Sequence, residues 1–419
     1  MIRAITGTKD ILPNDVIKWT YLEQLVKEIF TNFNYKEIRT PIFEETQLFA
    51  RGIGEETDIV GKEMYTFSDR SGTSLTLKPE MTASVVRAFI EHSLGKLQTL
   101  NKLFYISPMF RQEKPQAGRF RQFHQFGAEV LGSDSPLADA EVIIIAYRIL
   151  VSLGLKDLRV KINSIGIPSA RENYKTVLRN YLKDKLPDLT EESKVRFEKN
   201  ILRIFDSKAE NDIKIMQNAP IITDYLDEQS LSDFQVVKEA LNSAGIPFEV
   251  DPSLVRGLDY YTKTTFEIVS GKVGSQSALC GGGRYDLLIN ELGGTDTPAV
   301  GFAAGIERIL LACENENAFT QDDSSIDLYI VVIEKNLDKE AFRLSCLLRE
   351  NKIITEIDYS ARSVKAQMRE ANKFKAKFVL FIGGDEYKEG CFNIKNMETG
   401  DQKKVPINDI SSICAMFNK

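Results

Sequence analysis

The sequence predicts an α+β fold in two parts: an antiparallel sheet with a helical insertion, followed by a small α/β domain. Three observations predict it. Residues 103–110 and 119–130 alternate in character around the loop Lys114-Pro-Gln-Ala-Gly118, which reads as an antiparallel hairpin. Residues 168–250 are rich in Lys, Glu, Asp and Asn and read as mostly helical, before strand-like, glycine-rich sequence resumes at Val255, so the segment reads as an insertion. After a polar, aperiodic stretch at 314–325, read as a linker, strand candidates 328–333, 353–359 and 378–382 alternate with helix candidates 338–351 and 363–375. That alternation predicts a largely parallel sheet. The expected domains are 1–320, with the insertion at about 168–250, and 326–419.

Within the first part, Ile17, Tyr21, Leu25, Ile29 and Phe33 recur every four residues and predict a helix over 14–33. Further helices are expected at 136–153, at 169–184 after Pro168, at 195–205 and at 231–244, with strands at 264–269 and 277–279.

Composition bounds the function. A chain of 419 residues, 43% hydrophobic and 27% charged, spans two or three domains with ample core, which excludes general disorder. A net charge of −6, from 54 basic and 60 acidic residues, excludes a basic coat for nucleic acid but leaves room for a local basic face. The cysteines at 280, 313, 346, 391 and 414 form no C-x-x-C pair, so neither a disulfide framework nor a zinc ribbon is expected, and a reducing, cytoplasmic setting fits. Two histidines, His92 and His124, are too few for histidine-rich metal sites, and no metal-ligating residues are assigned. The N-terminus lacks an apolar signal core, and the most apolar stretch, 142–155, is interrupted by Arg148 and too short to cross a bilayer. No membrane association is expected.

The chemistry concentrates in the hairpin. Alternation places Arg119, Arg121, Phe123, Gln125 and Glu129 on one face and Phe120, Gln122, His124, Phe126, Ala128 and Val130 on the other. Cations, a ring, an amide and a carboxylate on one face suit a nucleotide beside a second polar substrate, although a solvated hairpin face carries similar residues.

Arg111-Gln-Glu113 at the strand end and Arg119-Phe-Arg-Gln-Phe123 resemble the second motif of class II aminoacyl-tRNA synthetases. Ala299-Val-Gly-Phe-Ala-Ala-Gly-Ile-Glu-Arg308 resembles the third motif, and the segment 35–41 resembles the first, which lies at the dimer interface in that family. Gly7-Thr-Lys-Asp-Ile-Leu-Pro13, Lys78-Pro-Glu-Met-Thr82, Leu254-Val-Arg-Gly-Leu-Asp-Tyr-Tyr261 and Gly281-Gly-Gly-Arg-Tyr-Asp286 are similar to segments of the histidyl-tRNA synthetase family, in the expected order.

The resemblance implies the class II antiparallel catalytic sheet, a C-terminal anticodon-binding domain, a homodimer, and the substrates histidine, ATP with Mg2+, and tRNA(His). It implies that Arg111 and Arg256 bracket the α-phosphate as the catalytic pair. Glu113 would read the adenine amino group, Phe123 would stack on adenine, Arg119 would hold the far phosphates, and Arg308 would lie against adenine or the γ-phosphate. Glu80 and Thr82 would receive the histidine ammonium, with Gln125 beside it. Glu129 and Tyr261 would hydrogen-bond the imidazole, and Tyr260 and Tyr285 would line its pocket. Met81 stands where the family often has a small residue, which would narrow the ammonium end.

In the C-terminal part, 16 basic and 14 acidic residues give residues 326–419 a net charge of +2, leaving −8 for the rest. Arg362, Lys365, Arg369 and Lys373 fall on one helical stripe. A solvated face reads the same way; the resemblance favours RNA, with Lys365, Arg369 and Lys373 on the anticodon arm and Gln116 facing the acceptor end. Other functions in view are the non-catalytic regulatory subunit of ATP phosphoribosyltransferase, which resembles the same family, and an uncharged-tRNA sensor. The retained Arg111, Arg256 and Arg308 and the complete C-terminal domain favour the ligase.

Overall fold

The structure is a computed structural model and describes residues 2–54, 57, 59–116, 118–255, 260–271, 278–318 and 325–417. The chain splits into two compact units, Met1–Phe319 and Thr320–Lys419.

The first unit is organised on an eight-stranded sheet in the order Lys36–Glu37, Asn101–Phe110, Gln122–Leu131, Ala299–Gly305, Ala278–Arg284, Thr262–Ser270, Leu158–Ser164 and Phe248–Val250. The six central strands pair antiparallel throughout, and only the two edge strands pair parallel. One face is covered by the helices Pro13–Asn32, Pro136–Ser152, Glu228–Ser243 and Ile306–Asn315, whose Leu22, Val26, Phe30, Ile145, Val237 and Ile309 join Phe126, Ala128, Val130, Phe266 and Phe302 of the strands in the largest core cluster. Alternation along Gln122–Leu131 therefore sends Phe126, Ala128 and Val130 into that core and leaves Phe123, Gln125 and Glu129 for the opposite face. Pro136 at the first helical turn and the Ser135 hydroxyl accepting the Leu137 N–H start the second of these helices where the sequence predicts.

Several boundaries differ from expectation. The hairpin's second strand begins at Gln122, not Arg119, because Gln116 and Arg119 exchange backbone bonds that close the loop first. Arg121 then turns away to Gly7, whose carbonyl accepts its backbone N–H. The strand Ala278–Arg284 runs on through the three glycines, packed between two neighbours. The stretch 195–205 divides into the helix Glu191–Lys199 and a tighter 3₁₀ turn, Ile201–Asp206. The segment 168–250 is not one separate insertion: Phe234, Val237 and Leu241 bury the helix Glu228–Ser243 in the main core, and Phe248–Val250 completes the main sheet. A second, three-stranded sheet of Phe43–Glu45, Tyr65–Ser68 and Ser74–Leu77 has no counterpart in the sequence reading. The helix ending at Asn315 takes in the first two residues of the expected linker, of which residues 319–324 lie outside the described residues.

The second unit has a five-stranded sheet in the order Thr355–Ile357, Leu328–Val332, Phe378–Ile382, Cys391–Asn396 and Gln402–Pro406. The first three strands are parallel, and the last two add antiparallel, so the sheet is mixed. Among the described residues no helix is long and apolar enough to cross a membrane.

Candidate active site

The polar face of the sheet forms the floor of a cavity of about 490 Å³. It gathers Glu80, Thr82, Arg111, Glu113, Arg119, Phe123, Gln125, Tyr260, Tyr261, Tyr285 and Arg308, which lie far apart in the sequence. Glu129 stands at its inner end, fully buried.

One end is cationic. Arg111 follows the last residue of Asn101–Phe110, and its Nε donates to the Pro79 carbonyl at 2.9 Å. Its guanidinium lies 5.3 Å from the centre of the Phe123 ring. Arg119 Nη1 pairs with Glu113 at 3.2 Å, while its buried Nε has no hydrogen-bond partner. Arg308, in the first turn of Ile306–Asn315, donates to the carbonyls of Gly118 at 3.3 Å and Ala278 at 3.1 Å. Burial, followed by the nearby Arg119, pulls the Arg308 pKa down, and burial does the same to Arg111. Three converging guanidinium groups with Glu113 as the paired carboxylate describe a place for a polyanion.

The other end is polar but enclosed. The Glu129 carboxylate accepts from the hydroxyls of Tyr285 at 2.5 Å, Thr82 at 2.8 Å and Tyr105 at 3.4 Å. Burial drives its pKa up to about 8 against these hydrogen bonds, and the neighbouring Glu80 adds to the rise. Tyr260 lies 4.7 Å from Tyr261 and 5.7 Å from Tyr285 between ring centres. Glu80 accepts the backbone N–H groups of Thr82 at 2.7 Å and Ala83 at 2.8 Å, so its carboxylate also starts the helix Thr82–Glu91. Its pKa is raised by burial. The Gln125 carboxamide oxygen is buried without a partner. The enclosed end offers hydroxyls and carboxylates to a small polar ring and to an ammonium group.

Met81 is not among the cavity-lining residues; its side chain is 1% exposed and belongs to the same buried cluster as Tyr260, Tyr261 and Tyr285. Arg256 lies outside the described residues. Gln116 is exposed in the hairpin loop and is not part of the cavity lining. Lys365, Arg369 and Lys373 are exposed on the helix Val364–Lys373 of the second unit, where Lys373 pairs with Glu370 at 2.7 Å.

Sequence reasoning missed other residues of the site. Asp206, Lys208, Glu267 and Cys280 also line the cavity. Glu307 accepts the backbone N–H of His124 with both oxygens, at 2.9 and 3.0 Å, and faces its Nδ1 at 3.0 Å, tying the start of the Arg308 helix to the hairpin. Arg284 is wholly buried against Asp139 and also pairs with Asp286 of its own motif, and it is not among the cavity-lining residues. Among the described residues no group of three or more His, Cys, Asp or Glu side chains gathers as for a metal ion.

Residues 7–309 match the family model for histidyl-tRNA synthetase, and residues 327–415 match the model for an anticodon binding domain. The chain is 50% identical over 410 residues to the histidine–tRNA ligase of Caldanaerobacter subterraneus subsp. tengcongensis, with 98% of each chain covered. It is 50% identical over 407 residues to that of a Geobacillus species, with 96% of each covered. The crystal structure of apo histidyl-tRNA synthetase from S. aureus superposes with a TM-score of 0.84 at 39% identity, over 100% of both chains. The family model spans most of the chain and half the positions are shared with relatives along nearly its whole length: the chain belongs to the histidyl-tRNA synthetase family.

Proposed function

We propose that the cavity is the adenylation site of a histidine–tRNA ligase, in which histidine reacts with ATP to give histidyl-adenylate and pyrophosphate before transfer to the 3′ end of tRNA(His). The observation that carries this reading is the division of one cavity into an arginine-lined end and an enclosed tyrosine–glutamate end. Arg111 holds the α-phosphate, Arg119 holds the far phosphates, Arg308 lies against adenine or the γ-phosphate, Glu113 reads the adenine amino group and Phe123 stacks on the ring. Arg256 takes the other side of the α-phosphate. The histidine carboxylate is ionised at neutral pH, so it attacks phosphorus without a general base, and pyrophosphate leaves in line. Charge that grows on the α-phosphate oxygens in the transition state meets cations already in place. Mg2+ arrives with ATP and neutralises phosphate charge.

For histidine, Glu129 and Tyr261 bind the imidazole, and Tyr260 and Tyr285 enclose it. Glu80, Thr82 and Gln125 take the ammonium and carboxylate end. A buried site that pairs both edges of an imidazole rejects apolar competitors, because they leave its polar groups unpaired. The C-terminal unit binds the anticodon arm through Lys365, Arg369 and Lys373, and Gln116 meets the acceptor end. The chain acts as a cytoplasmic homodimer with residues 35–41 at the two-fold axis. The test is ATP–pyrophosphate exchange. Exchange that requires histidine and is lost in Arg111→Ala supports the reading. Its absence from the folded wild-type chain removes it.

A further inference from the structure

The tyrosines at the enclosed end are anchored from outside the cavity. The strand Leu158–Ser164 and the start of the next helix, Pro168–Leu182, supply the anchors. Asn163, fully buried, donates from Nδ2 to the carbonyls of Leu254 at 3.0 Å and Pro252 at 3.4 Å, before the tyrosine pair in sequence. Arg171, in the first turn of the helix, donates from Nη1 to the Tyr261 carbonyl at 2.6 Å. Lys263, two residues on, adopts a left-handed φ of 45° that a side chain-bearing residue rarely takes. It is held there by the same connection: its N–H donates to Gly166 at 2.9 Å, and its carbonyl accepts from Ile165 at 2.8 Å. Its ammonium pairs with Asp233 at 2.8 Å, both side chains mostly buried.

We infer that Arg171 is a positioning residue for the amino-acid substrate. It rests on the reading of this end as the histidine site. Arg171 does not line the cavity, so it acts through the Tyr261 backbone. Fixing that carbonyl fixes where the two rings stand, and Tyr260 in turn packs on Tyr285, whose hydroxyl serves Glu129. A charged donor on a carbonyl is among the stronger hydrogen bonds available to a loop. Among the described residues, the arginines of the other end, Arg111, Arg119 and Arg308, are carried by other elements, the hairpin and the Arg308 helix.

The experiment is steady-state ATP–pyrophosphate exchange on the full chain, with histidine and ATP varied in turn, for wild type, Arg171→Ala and Arg171→Lys. The expected result is a histidine KM raised about tenfold or more in Arg171→Ala, an ATP KM within about twofold of wild type, and partial recovery of the histidine KM in Arg171→Lys. A histidine KM unchanged in Arg171→Ala, or a parallel rise in both KM values, overturns the inference. Should Arg171→Ala fail to fold by circular dichroism, Arg171→Lys carries the same comparison: a selective rise supports the inference, and an unchanged histidine KM overturns it. Wild-type protein without histidine-dependent exchange would instead remove the reading of the cavity, a result distinct from either.

Discussion

Glu129 and Tyr285 meet across an intervening strand. Glu129 is on Gln122–Leu131, Tyr285 follows Ala278–Arg284, and Ala299–Gly305 runs between them, yet the hydroxyl donates to the carboxylate at 2.5 Å. The contact passes over Gly301, which is paired with Glu129 on one side and Gly283 on the other. A Cβ on Gly301 would overlap the Glu129 Oε2 atom.

Gly301→Ala should therefore expel the Glu129 carboxylate from its place and break the Tyr285 bond. The expected outcome is a histidine KM raised at least about tenfold, from the loss of a buried hydrogen-bond partner. Exchange assays with histidine varied at saturating ATP measure it. A variant with wild-type histidine KM would show that Glu129 relaxes without cost.

The same buried carboxyl sets a pH dependence of stability. Glu129 has a folded pKa of about 8, raised by burial from an unfolded value near 4.5. Between those values the folded state holds a proton that the unfolded state has lost. Its contribution therefore falls as pH rises through that window and levels off above about 8, with a limiting slope of about 1.4 kcal/mol per pH unit. Glu129→Gln removes the titration. Denaturant unfolding from pH 5 to 8 should show wild type losing stability relative to the variant. Parallel profiles would mean that Glu129 is already ionised in the folded chain.

Much of this arrangement was legible because strand periodicity separates the core residues Phe126, Ala128 and Val130 from the site residues Phe123, Gln125 and Glu129. What was hidden depends on partners distant in sequence. Asp139 reads as an ordinary acid in a helix's first turn until Arg284 is placed beside it. Glu307 reads as a solvated neighbour of Arg308 until His124 arrives from the hairpin. The edge strand Gln402–Pro406 was missed because Val405 alone is buried and two lysines and a proline carry no strand signal. Phe43–Glu45, with two acidic residues in three, gives no periodicity to read.

The Arg284–Asp139 pair is expected to be structural. Arg284 makes bonds of 2.5 and 3.2 Å to Asp139, 3.0 Å to Asp286, and 2.9 and 3.1 Å to the Ser133 and Ser135 carbonyls. Burial lowers its pKa, but the two carboxylates outweigh that and leave it raised. Asp139→Ala leaves a buried guanidinium without its main counter-charge and should cost about 3–5 kcal/mol in denaturant unfolding. A cost below about 1 kcal/mol would mean that Asp286 and the carbonyls suffice.

The tRNA prediction follows from how the basic stripe is neutralised. Arg362 is engaged by Asp358 at 2.5 Å and Glu370 at 3.3 Å, and Lys373 by Glu370 at 2.7 Å. Lys365 and Arg369 are exposed and form no ion pair among the described residues, so they are the cations with the most to offer a phosphate. Lys365→Glu with Arg369→Glu should weaken tRNA binding and flatten its dependence on salt by about 0.7 in log–log slope per lost contact, the value for a single-stranded loop. Adding Lys373→Glu should lower affinity further but by less than either of the other two, because Glu370 already engages that ammonium. Histidine-dependent exchange should stay at the wild-type rate, since none of the three lines the cavity of the first unit. Filter binding across a salt series measures the first effect and exchange the second. An unchanged salt slope in the folded double variant would place the RNA on another face of the unit, and a slope that falls only when Lys373 is reversed would mean that RNA displaces Glu370 from its lysine.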